Sequence, residues 1–295
     1  MSNIILGKYI SNSILDNIKN EYINYLNIEE FKPPKVCIIQ IGDNNNSNIY
    51  IKKKKETCDD LNFICEVHNY KENTELSTII DIINQFNNNK DIHGIMIQLP
   101  IPITFDKKTI LNTINPKKDI DCLTSYNFGK IIDNDSSSII PCTPLACMEI
   151  LKSENIQLPG KYVVIIGTSK IVGTPLALLL TNYQCTVTMC NNMTKDIKTH
   201  TLKADILIVA CGSPNMIKKD WINQNCLIID IGINHIPDPN KENKLILVGD
   251  VDFHDVKDIA YKITPVPGGI GSITVAMFVK NLFKCYCTTN SINQS

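Results

Sequence analysis

The first half of the chain alternates short apolar runs with longer amphipathic stretches. Three apolar runs have the length of buried strands: residues 35–41, 63–67 and 94–99. Three longer stretches carry apolar residues at helical spacing: residues 10–26, 47–61 and 75–86. This strand–helix alternation predicts a mostly parallel sheet with helices on both faces.

The second half continues the alternation with further apolar runs, at residues 162–166, 186–190, 206–211, 226–231 and 245–249. The first of them leads directly into a Gly-rich turn and a helix rich in Leu and Ala. Strands with short helices between them, opened by such a turn, predict a Rossmann-like unit. Before this unit we expect a helix with Thr143 as N-cap and Pro144 at its first position.

The last apolar helix follows a turn rich in proline and glycine, residues 263–271. Its apolar residues recur at helical spacing from Ile273 to Leu282, and we expect it to end near Lys284. Because it comes after a complete Rossmann-like unit, we expect it to return to the first half. The predicted fold is therefore α/β with two lobes, residues 1–143 with 273–295 and residues 144–272.

Composition narrows the functional classes. A net charge of −1 gives no electrostatic case for binding nucleic acid or an anionic membrane. No apolar run approaches the roughly 20 residues of a membrane span. The N-terminal residues lack the features of a signal or transit peptide, so we expect a cytoplasmic protein.

The 12 cysteines are scattered, and most lie inside apolar runs. There is no C-x-x-C pair and no histidine at zinc-finger spacing, so we expect buried free thiols and no metal site. The 29 basic residues are all lysine, because the chain contains no arginine.

The turn that begins at Gly167 is the first chemical signal. A strand, a Gly-rich turn and a helix can place backbone N–H groups against a dinucleotide pyrophosphate, although Ser169 stands where a second glycine is usual. Taken alone, the turn is equally compatible with an ordinary βα connection. The next strand ends at Cys190-Asn-Asn192 without the carboxylate that selects NAD, so a 2′-phosphate would not be repelled.

A second signal is the pair Tyr50 and Lys54, which share one face of the predicted helix. We interpret Lys52, Lys53 and Lys55 as a solvated face. Lys54 is expected to lie beside the Tyr50 hydroxyl, and neighbouring cations and partial burial would lower its pKa, which suits an amine that handles protons.

Two polar positions extend this site. Gln98 ends a buried strand, and the carboxyl ends of strands are where open α/β sheets bind ligands. Asp121 lies in a loop where its carboxylate could accept hydrogen bonds from a ligand with several N–H donors. For Asp119 we favour a role in capping a turn.

These stretches together resemble the methylenetetrahydrofolate dehydrogenase/methenyltetrahydrofolate cyclohydrolase family, from Gly42 to Leu282. The resemblance rests on Ser47-x-x-Tyr50-x-x-x-Lys54, Gly94-Ile-Met-Ile-Gln-Leu-Pro-Ile-Pro102, Pro116-x-Lys-Asp-Ile-Asp121, Pro141-Cys-Thr-Pro144, Gly167-x-Ser-x-Ile-Val-Gly-x-Pro175, Asp230-Ile-Gly-Ile-Asn234, Gly249-Asp-Val251 and Ile263-Thr-Pro-Val-Pro-Gly-Gly-Ile-Gly271. It implies a homodimeric enzyme that binds a tetrahydrofolate derivative in the cleft between its lobes.

The resemblance also implies roles for single residues. The implied catalytic residues are Lys54, Tyr50, Gln98 and Asp121, and the implied folate-binding residues are Tyr50, Gln98, Leu99, Asp121, Pro267, Gly268 and Gly269. The cofactor, NADP with NAD possible, would lie against Gly167, Thr168, Ser169, Ile171, Gly173, Ile233 and Thr274. The implied reactions are oxidation of 5,10-methylenetetrahydrofolate to the methenyl form and its hydrolysis to 10-formyltetrahydrofolate.

The chain departs from the family pattern at several positions. Cys122-Leu-Thr-Ser125 replaces the usual Gly-Phe-His-Pro, Ala146 a glycine and Ser272 a proline. Thr168 stands where an arginine commonly binds the 2′-phosphate, and Asn191-Asn192 where His-Ser is common. A chain without arginine cannot form a bidentate phosphate clamp, so Lys170 or Lys195 would act as a point charge.

These departures leave two alternatives to the bifunctional enzyme. One is a monofunctional or NAD-dependent dehydrogenase, which the retained Lys54 disfavours. The other is a folate-binding protein without turnover, suggested by the altered loop at 122–125 and the missing phosphate clamp.

Overall fold

A computed structural model describes residues 3–26, 32–238 and 244–290. The chain forms two compact units: one contains the chain up to Ser11 and Thr143–Thr274, the other Asn12–Cys142 and the chain from Val275. The predicted two-lobed α/β class is confirmed. The predicted division at 143/144 and 272/273 stays a prediction, and its outermost residues, 1–2 and 291–295, lie outside the described residues.

The first half of the chain contains α1 (Gly7–Ile23), β1 (Lys35–Ile41), α2 (Asn45–Asp60), β2 (Ile64–Tyr70), α3 (Leu76–Asn88), β3 (Gly94–Ile97), α4 (Lys107–Thr113) and α5 (Ser125–Ile132). The second half contains α6 (Cys142–Ser153), β4 (Tyr162–Ile166), α7 (Gly173–Asn182), β5 (Thr186–Cys190), α8 (Ile197–Thr201), β6 (Ile206–Val209), a 3₁₀ turn (Lys219–Trp221), β7 (Leu227–Asp230), β8 (Asn234–Pro237), β9 (Leu245–Val248), α9 (Phe253–Val256), β10 (Lys262–Ile263) and α10 (Ile270–Thr289).

The unit built on residues 12–142 has a parallel sheet of three strands in the order β2-β1-β3. In the register, Cys37 pairs with Glu66 of β2, and Ile38 pairs with Met96 of β3. Side chains alternate between the two faces of a strand, so these two pairs lie on opposite faces of the sheet. The central strand β1 is apolar and almost wholly buried, as expected of a parallel strand covered on both faces.

Helix α10 packs on this same unit, as its position in the sequence predicted. Phe283 lies within an aromatic cluster with Tyr22, Phe63 and Tyr286, with ring centroids 6.1–6.2 Å away. The Asn281 side chain donates to two backbone carbonyls of the unit, at 2.8 and 2.9 Å. Hydrophobic burial and a satisfied polar group therefore both fix the helix.

The second unit contains a parallel sheet of five strands in the order β10-β7-β6-β4-β5. Its core combines Val164, Ile166, Leu207 and Ile228 from three adjacent strands. The carboxyl ends of β4, β6 and β7 meet at one edge, the edge at which open parallel sheets bind ligands. The structure thus confirms the Rossmann-like unit.

Three details differ from the sequence predictions. The apolar run at 245–249 forms β9, which pairs antiparallel with β8 outside the main sheet, and Leu245 at its start is exposed. Helix α6 begins at Cys142, so Thr143 lies inside it, because the Asp121 carboxylate already accepts the Cys142 N–H at 3.3 Å. Helix α10 continues to Thr289, since its buried face extends past Lys284.

The cysteine prediction is confirmed: all 12 thiols are free, and all except the half-buried Cys211 are buried. Among the described residues, no helix is long and apolar enough to cross a membrane.

Replacing Phe283 with alanine should lower the free energy of unfolding of its unit by about 3–5 kcal/mol, because a fully packed aromatic ring would leave a cavity. Urea unfolding followed by circular dichroism measures this loss. Ile103→Ala is the matched control, because Ile103 lies in the same unit and is fully exposed, and its truncation should change the value by less than about 0.5 kcal/mol. Equal losses in the two variants would contradict the packing described here.

Candidate active site

A buried lysine lies at the centre of the candidate site. The inner face of α2 presents Ser47, Ile51, Lys54 and Cys58, at spacings of three and four residues. Lys54 is only 6% exposed. Its Nζ lies 3.3 Å from Gln98 Oε1, 3.2 Å from Met96 Sδ and 5.2 Å from the centre of the Phe278 ring. The helix thus places the Lys54 amine beside the end of β3.

Burial sets the protonation of this amine. Desolvation lowers the pKa of Lys54, and the negative charge of Asp121 opposes that shift. A buried amine with a lowered pKa can exist in the neutral form, which accepts protons, more readily than a solvated lysine can. The pKa of Lys54 is therefore lowered, as predicted.

Burial, one of the two predicted causes, lowers the pKa of Lys54, whereas the other predicted cause and the predicted aromatic neighbour differ from what is found. Lys52, Lys53 and Lys55 are exposed, as predicted, and neighbouring cations do not account for the lowered pKa. The ammonium of Lys53 lies 5.9 Å from the Tyr50 ring centre, whereas Lys54 lies over Phe278. Residues four apart on a helix share one face, but packing decides which of the adjacent lysines contacts the Tyr50 ring.

The amide of Gln98 is oriented by the backbone just beyond β3. Its Nε2 donates to the Leu99 carbonyl at 2.8 Å, which leaves Oε1 directed at Lys54. The Ser47 hydroxyl donates to the same carbonyl at 3.3 Å, and the Leu99–Pro100 peptide bond is cis. The Leu99 carbonyl therefore connects helix α2 to the residues that follow β3, close to the Lys54 amine.

The two aspartates of the loop before α5 have different environments. Asp119 is fully buried, and its carboxylate accepts from the backbone N–H groups of Leu123 and Thr124, each at 2.9 Å. This confirms its capping role. Asn127 also donates to it, at 3.0 Å. The altered 122–125 loop is thus held by hydrogen bonds that do not need the usual family residues.

Asp121 remains half-buried, and one of its oxygens caps the first N–H of α6. This leaves carboxylate lone pairs available to a ligand. Tyr50 is also half-buried, and burial raises the pKa of its hydroxyl, so it stays protonated at neutral pH. Lys54, Gln98 and Asp121 are therefore brought together in one unit, with Tyr50 one turn before Lys54 on the same helix.

The cofactor candidates lie in the other unit, at the end of β4. Gly167 has a φ of +115°, and a Cβ there would lie 2.2 Å from the Ala210 carbonyl oxygen. At Gly173 a Cβ would lie 1.9 Å from the Gly167 carbonyl oxygen. Only glycine permits this close turn, which directs the N-terminus of α7 at the space beyond the strand.

Between these glycines, Thr168, Ser169 and Ile171 are exposed. The Ser169 hydroxyl accepts from the Val172 N–H at 3.2 Å, and its carbonyl accepts from the Thr174 N–H at 3.0 Å. The Ser169 side chain therefore stabilises the turn through a hydrogen bond that a glycine at this position could not form.

Two buried carboxylates explain the motifs at 230–234 and 249–251. Asp230 accepts from the backbone N–H groups of Gly232, Asp250 and Val251 at 2.9–3.0 Å. A Cβ at Gly249 would lie 1.8 Å from the Asp230 carboxylate, so this position also requires glycine. The loop after β7 is consequently tied to the residues that follow β9.

Asp250 extends this network to a second loop. Its carboxylate accepts from the N–H groups of Cys211 and Gly212, at 2.7 and 3.0 Å, and from the Asn234 side chain at 2.8 Å. The loops after β6 and β7 are held together in this way. Ile233, a predicted cofactor contact, is 43% exposed beside them.

The remaining predicted contacts lie around the start of α10. The Val266–Pro267 peptide bond is cis, Gly268 has a φ of +111°, and its carbonyl accepts the Gly7 N–H at 2.9 Å. A Cβ at Gly7 would meet the Gly269 carbonyl oxygen at 1.9 Å. Thr274 is half-buried, and its hydroxyl donates to the Ile270 carbonyl at 3.2 Å.

Sequence reasoning missed Met96 and Phe278, which contact the Lys54 amine. Met96 could have been found, because it lies two residues before Gln98 in a strand and must share its face. Phe278 gave no local signal, since it comes from a helix more than 200 residues away from Lys54 in the chain.

The fold and these residues define a two-unit α/β protein that combines a Rossmann-like unit with a buried lysine in the other unit. The family model for the catalytic domain of tetrahydrofolate dehydrogenase/cyclohydrolase matches residues 5–121, and the model for its NAD(P)-binding domain matches residues 141–290. The chain belongs to the tetrahydrofolate dehydrogenase/cyclohydrolase family.

Individual relatives agree with this assignment over the whole chain. The bifunctional protein FolD of Caldanaerobacter subterraneus is 39% identical, over 96% of each chain. The crystal structure of the bifunctional enzyme from Campylobacter jejuni is 35% identical, covers 98% of this chain and 99% of its own, and has a TM-score of 0.91. The Trypanosoma brucei enzyme, solved with NADP and an inhibitor, is 31% identical over 98% of each chain, with a TM-score of 0.93.

Replacing Lys54 with methionine should stabilise its unit by about 1–4 kcal/mol at neutral pH, because an apolar side chain replaces a buried amine. The pKa of Lys54 is lower in the folded protein, so the unfolded chain binds more protons between the two pKa values. Wild-type stability therefore rises with pH through that window, and the variant lacks this rise. Urea unfolding as a function of pH measures it; identical slopes would show that burial does not perturb Lys54.

Proposed function

We propose that this chain oxidises 5,10-methylenetetrahydrofolate to 5,10-methenyltetrahydrofolate with NADP, and hydrolyses that product to 10-formyltetrahydrofolate, with Lys54 as the proton-handling amine. One observation carries the assignment of Lys54. Its buried Nζ lies 3.3 Å from Gln98 Oε1, and desolvation lowers its pKa. Family membership supplies the reactions, and this geometry supports the residue.

The hydrolysis needs a group that both accepts and returns protons. Water adds to the methenyl carbon, the bond from that carbon to one ring nitrogen breaks, and one proton leaves overall. Neutral Lys54 accepts a proton from the attacking water, and the resulting ammonium returns one to the departing nitrogen. A pKa below that of a solvated lysine favours this exchange near neutral pH.

Three neighbours assist the amine and the folate. Gln98 accepts a hydrogen bond from Lys54, and so fixes the position of Nζ in either protonation state. Asp121 offers its remaining lone pairs to the N–H donors of the pterin ring. Tyr50 packs its half-buried ring against the folate, next to Leu99 just beyond β3.

The residues at the end of β4 fit a dinucleotide. Gly167 and Gly173 remove the side chains that would fill the turn, and the N-cap residue Val172 makes no side-chain hydrogen bond to α7. Thr168, Ser169 and Ile171 would line the pyrophosphate, and Ile233 and Thr274 the nicotinamide. When bound at these residues, NADP would supply the acceptor for the hydride of the methylene carbon.

The 2′-phosphate of NADP must be bound without arginine. Thr168 carries no charge, and the Asn191 side chain is engaged by the Met193 N–H at 2.9 Å. Lys170, in the turn after β4, and Lys195, after β5, are both exposed. We assign the phosphate to these two lysines as point charges, which hold it less rigidly than a bidentate guanidinium would.

The assembly and the cellular location complete the proposal. In the predicted division, residues 1–143 and 273–295 would bind the folate, and residues 144–272, together with Thr274 just beyond them, would bind the cofactor. Family resemblance supports a homodimer. A cytoplasmic location is also part of the proposal.

Lys54→Met should reduce the cyclohydrolase rate by about 10²- to 10⁴-fold, because no other group replaces the amine as proton carrier. The decay of the methenyl product, followed by its near-ultraviolet absorbance, measures this rate. Lys53→Met is the matched control, because Lys53 is adjacent in sequence but exposed, and it should retain full activity.

An unchanged rate in Lys54→Met would exclude Lys54 as the catalytic amine. Accumulation of the methenyl product by the wild-type enzyme would instead indicate a monofunctional dehydrogenase. Folate binding in calorimetry, with no turnover on either dinucleotide, would indicate a binding protein.

Replacing Lys170 or Lys195 with alanine should raise the KM for NADP by about 5-fold, the effect of losing one exposed ion pair. The double variant should lose more, and added salt should weaken the wild-type preference. The control is the KM for NAD, which has no 2′-phosphate and should not change. Parallel increases for NADP and NAD would contradict the assignment.

A further inference from the structure

Three metal-ligating side chains meet on the sheet face opposite Lys54. Cys37 of β1 and Glu66 of β2 are register partners, and His68 lies two residues further along β2. The period of two places all three on one face, whereas Met96 and Gln98 lie on the other. The parallel pairing of two strands has thus assembled a thiol, a carboxylate and an imidazole.

Their separations are close to those within a tetrahedral zinc site. Cys37 Sγ lies 3.7 Å from Glu66 Oε2, and that oxygen lies 3.7 Å from His68 Nε2. The three ligand atoms all lie within 4.8 Å of one another. Ligand bonds of about 2.0–2.3 Å in a tetrahedron separate neighbouring ligand atoms by roughly 3.3–3.7 Å. Side-chain adjustments of less than about 1 Å would bring all three onto one ion.

The imidazole provides an independent sign of a ligand. His68 Nε2 is inaccessible to solvent and has no hydrogen-bond partner, although a buried polar nitrogen is normally paired. The His68 ring packs against Phe86 of α3, with ring centroids 4.9 Å apart. Packing therefore directs an unsatisfied nitrogen toward the Glu66 carboxylate.

The other oxygen of the carboxylate is already fixed. Lys35 Nζ lies 2.7 Å from Glu66 Oε1, which leaves Oε2 facing the thiol and the imidazole. An outer partner that orients a ligating group in this way is typical of protein metal sites. The Lys35 ammonium partly neutralises the Glu66 carboxylate. The site therefore suits a metal ion that also binds the Cys37 thiolate.

We propose that Cys37, Glu66 and His68 bind one Zn²⁺ ion, with water as the fourth ligand. Binding releases the thiol proton to solvent and forms a Zn–S bond, with no change in oxidation state. The ion would connect the edge strand β2 to the central strand β1. Because it lies on the face opposite Lys54, its role is to stabilise the unit, and it is independent of the proposed function.

This site could not be found from the sequence, which led us to expect no metal. Its ligands are 29 and 2 residues apart along the chain and match no finger spacing. Within residues 3–26, 32–238 and 244–290, no other group of three or more His, Cys, Asp or Glu side chains brings its ligand atoms together in this way.

The test is equilibrium dialysis of the full-length, chelator-treated protein against Zn²⁺, with the bound metal measured by atomic absorption. Wild-type protein should bind one equivalent, and Zn²⁺ should raise its thermal midpoint. Cys37→Ser and His68→Gln should each weaken binding at least 10-fold. With Co²⁺ as the probe, the wild type should show thiolate charge-transfer absorption that Cys37→Ser lacks.

Cys65→Ser is the matched control, because Cys65 is a buried thiol on the opposite face of the sheet. It should bind Zn²⁺ like the wild type. Circular dichroism verifies that every variant is folded. The proposal is overturned if the wild type binds no Zn²⁺, if Cys37→Ser and His68→Gln bind it unchanged, or if Cys65→Ser abolishes binding, which would locate the metal at other thiols.

Discussion

The burial of one amine is the constraint on which the candidate active site depends. Removing an ammonium from water is costly unless it is paired or becomes neutral. Among the described residues, Lys54 has an amide oxygen and a thioether as its hydrogen-bond partners, and an aromatic ring lies above it. Such surroundings accept N–H donors without supplying a full counter-charge. The neutral form is therefore more accessible than in a solvated lysine, which suits the proton-carrying role proposed for Lys54.

Keeping that amine in place requires rigid support from three directions. Helix α2 contributes Lys54 from its buried face, β3 contributes Met96 and continues to Gln98, and α10 contributes Phe278. The shared Leu99 carbonyl joins the strand end to α2, and Asn281 joins α10 to the loops around Asp121. The candidate site therefore lies where several well-packed elements converge, as preorganised sites require.

In the Rossmann-like unit the constraint is different, because its loops must lie close to a phosphate-bearing ligand. Gly167, Gly173 and Gly249 allow the backbone to approach itself closely, and the carboxylates of Asp230 and Asp250 satisfy the N–H groups exposed by the turns. The turn after β4 keeps its shape with Ser169 in place of a glycine. This chain contains no arginine, and the lysines proposed to bind the 2′-phosphate would attract it with little geometric selectivity.

Sequence alone determined the elements, the two α/β units and the family, because period-two and helical patterns and ordered motifs are local properties of the chain. It also indicated Lys54, Gln98, Asp121 and the Gly167 turn, since each lies at an element end or on a helix face that pattern can locate. Tertiary structure decided which groups touch them. Phe278 replaced Tyr50 as the aromatic neighbour of Lys54, Asp121 displaced Thr143 as the cap of α6, and strand pairing brought Cys37 to Glu66 and His68. Contacts of this kind depend on register and packing between segments distant in the chain, and no local pattern encodes them.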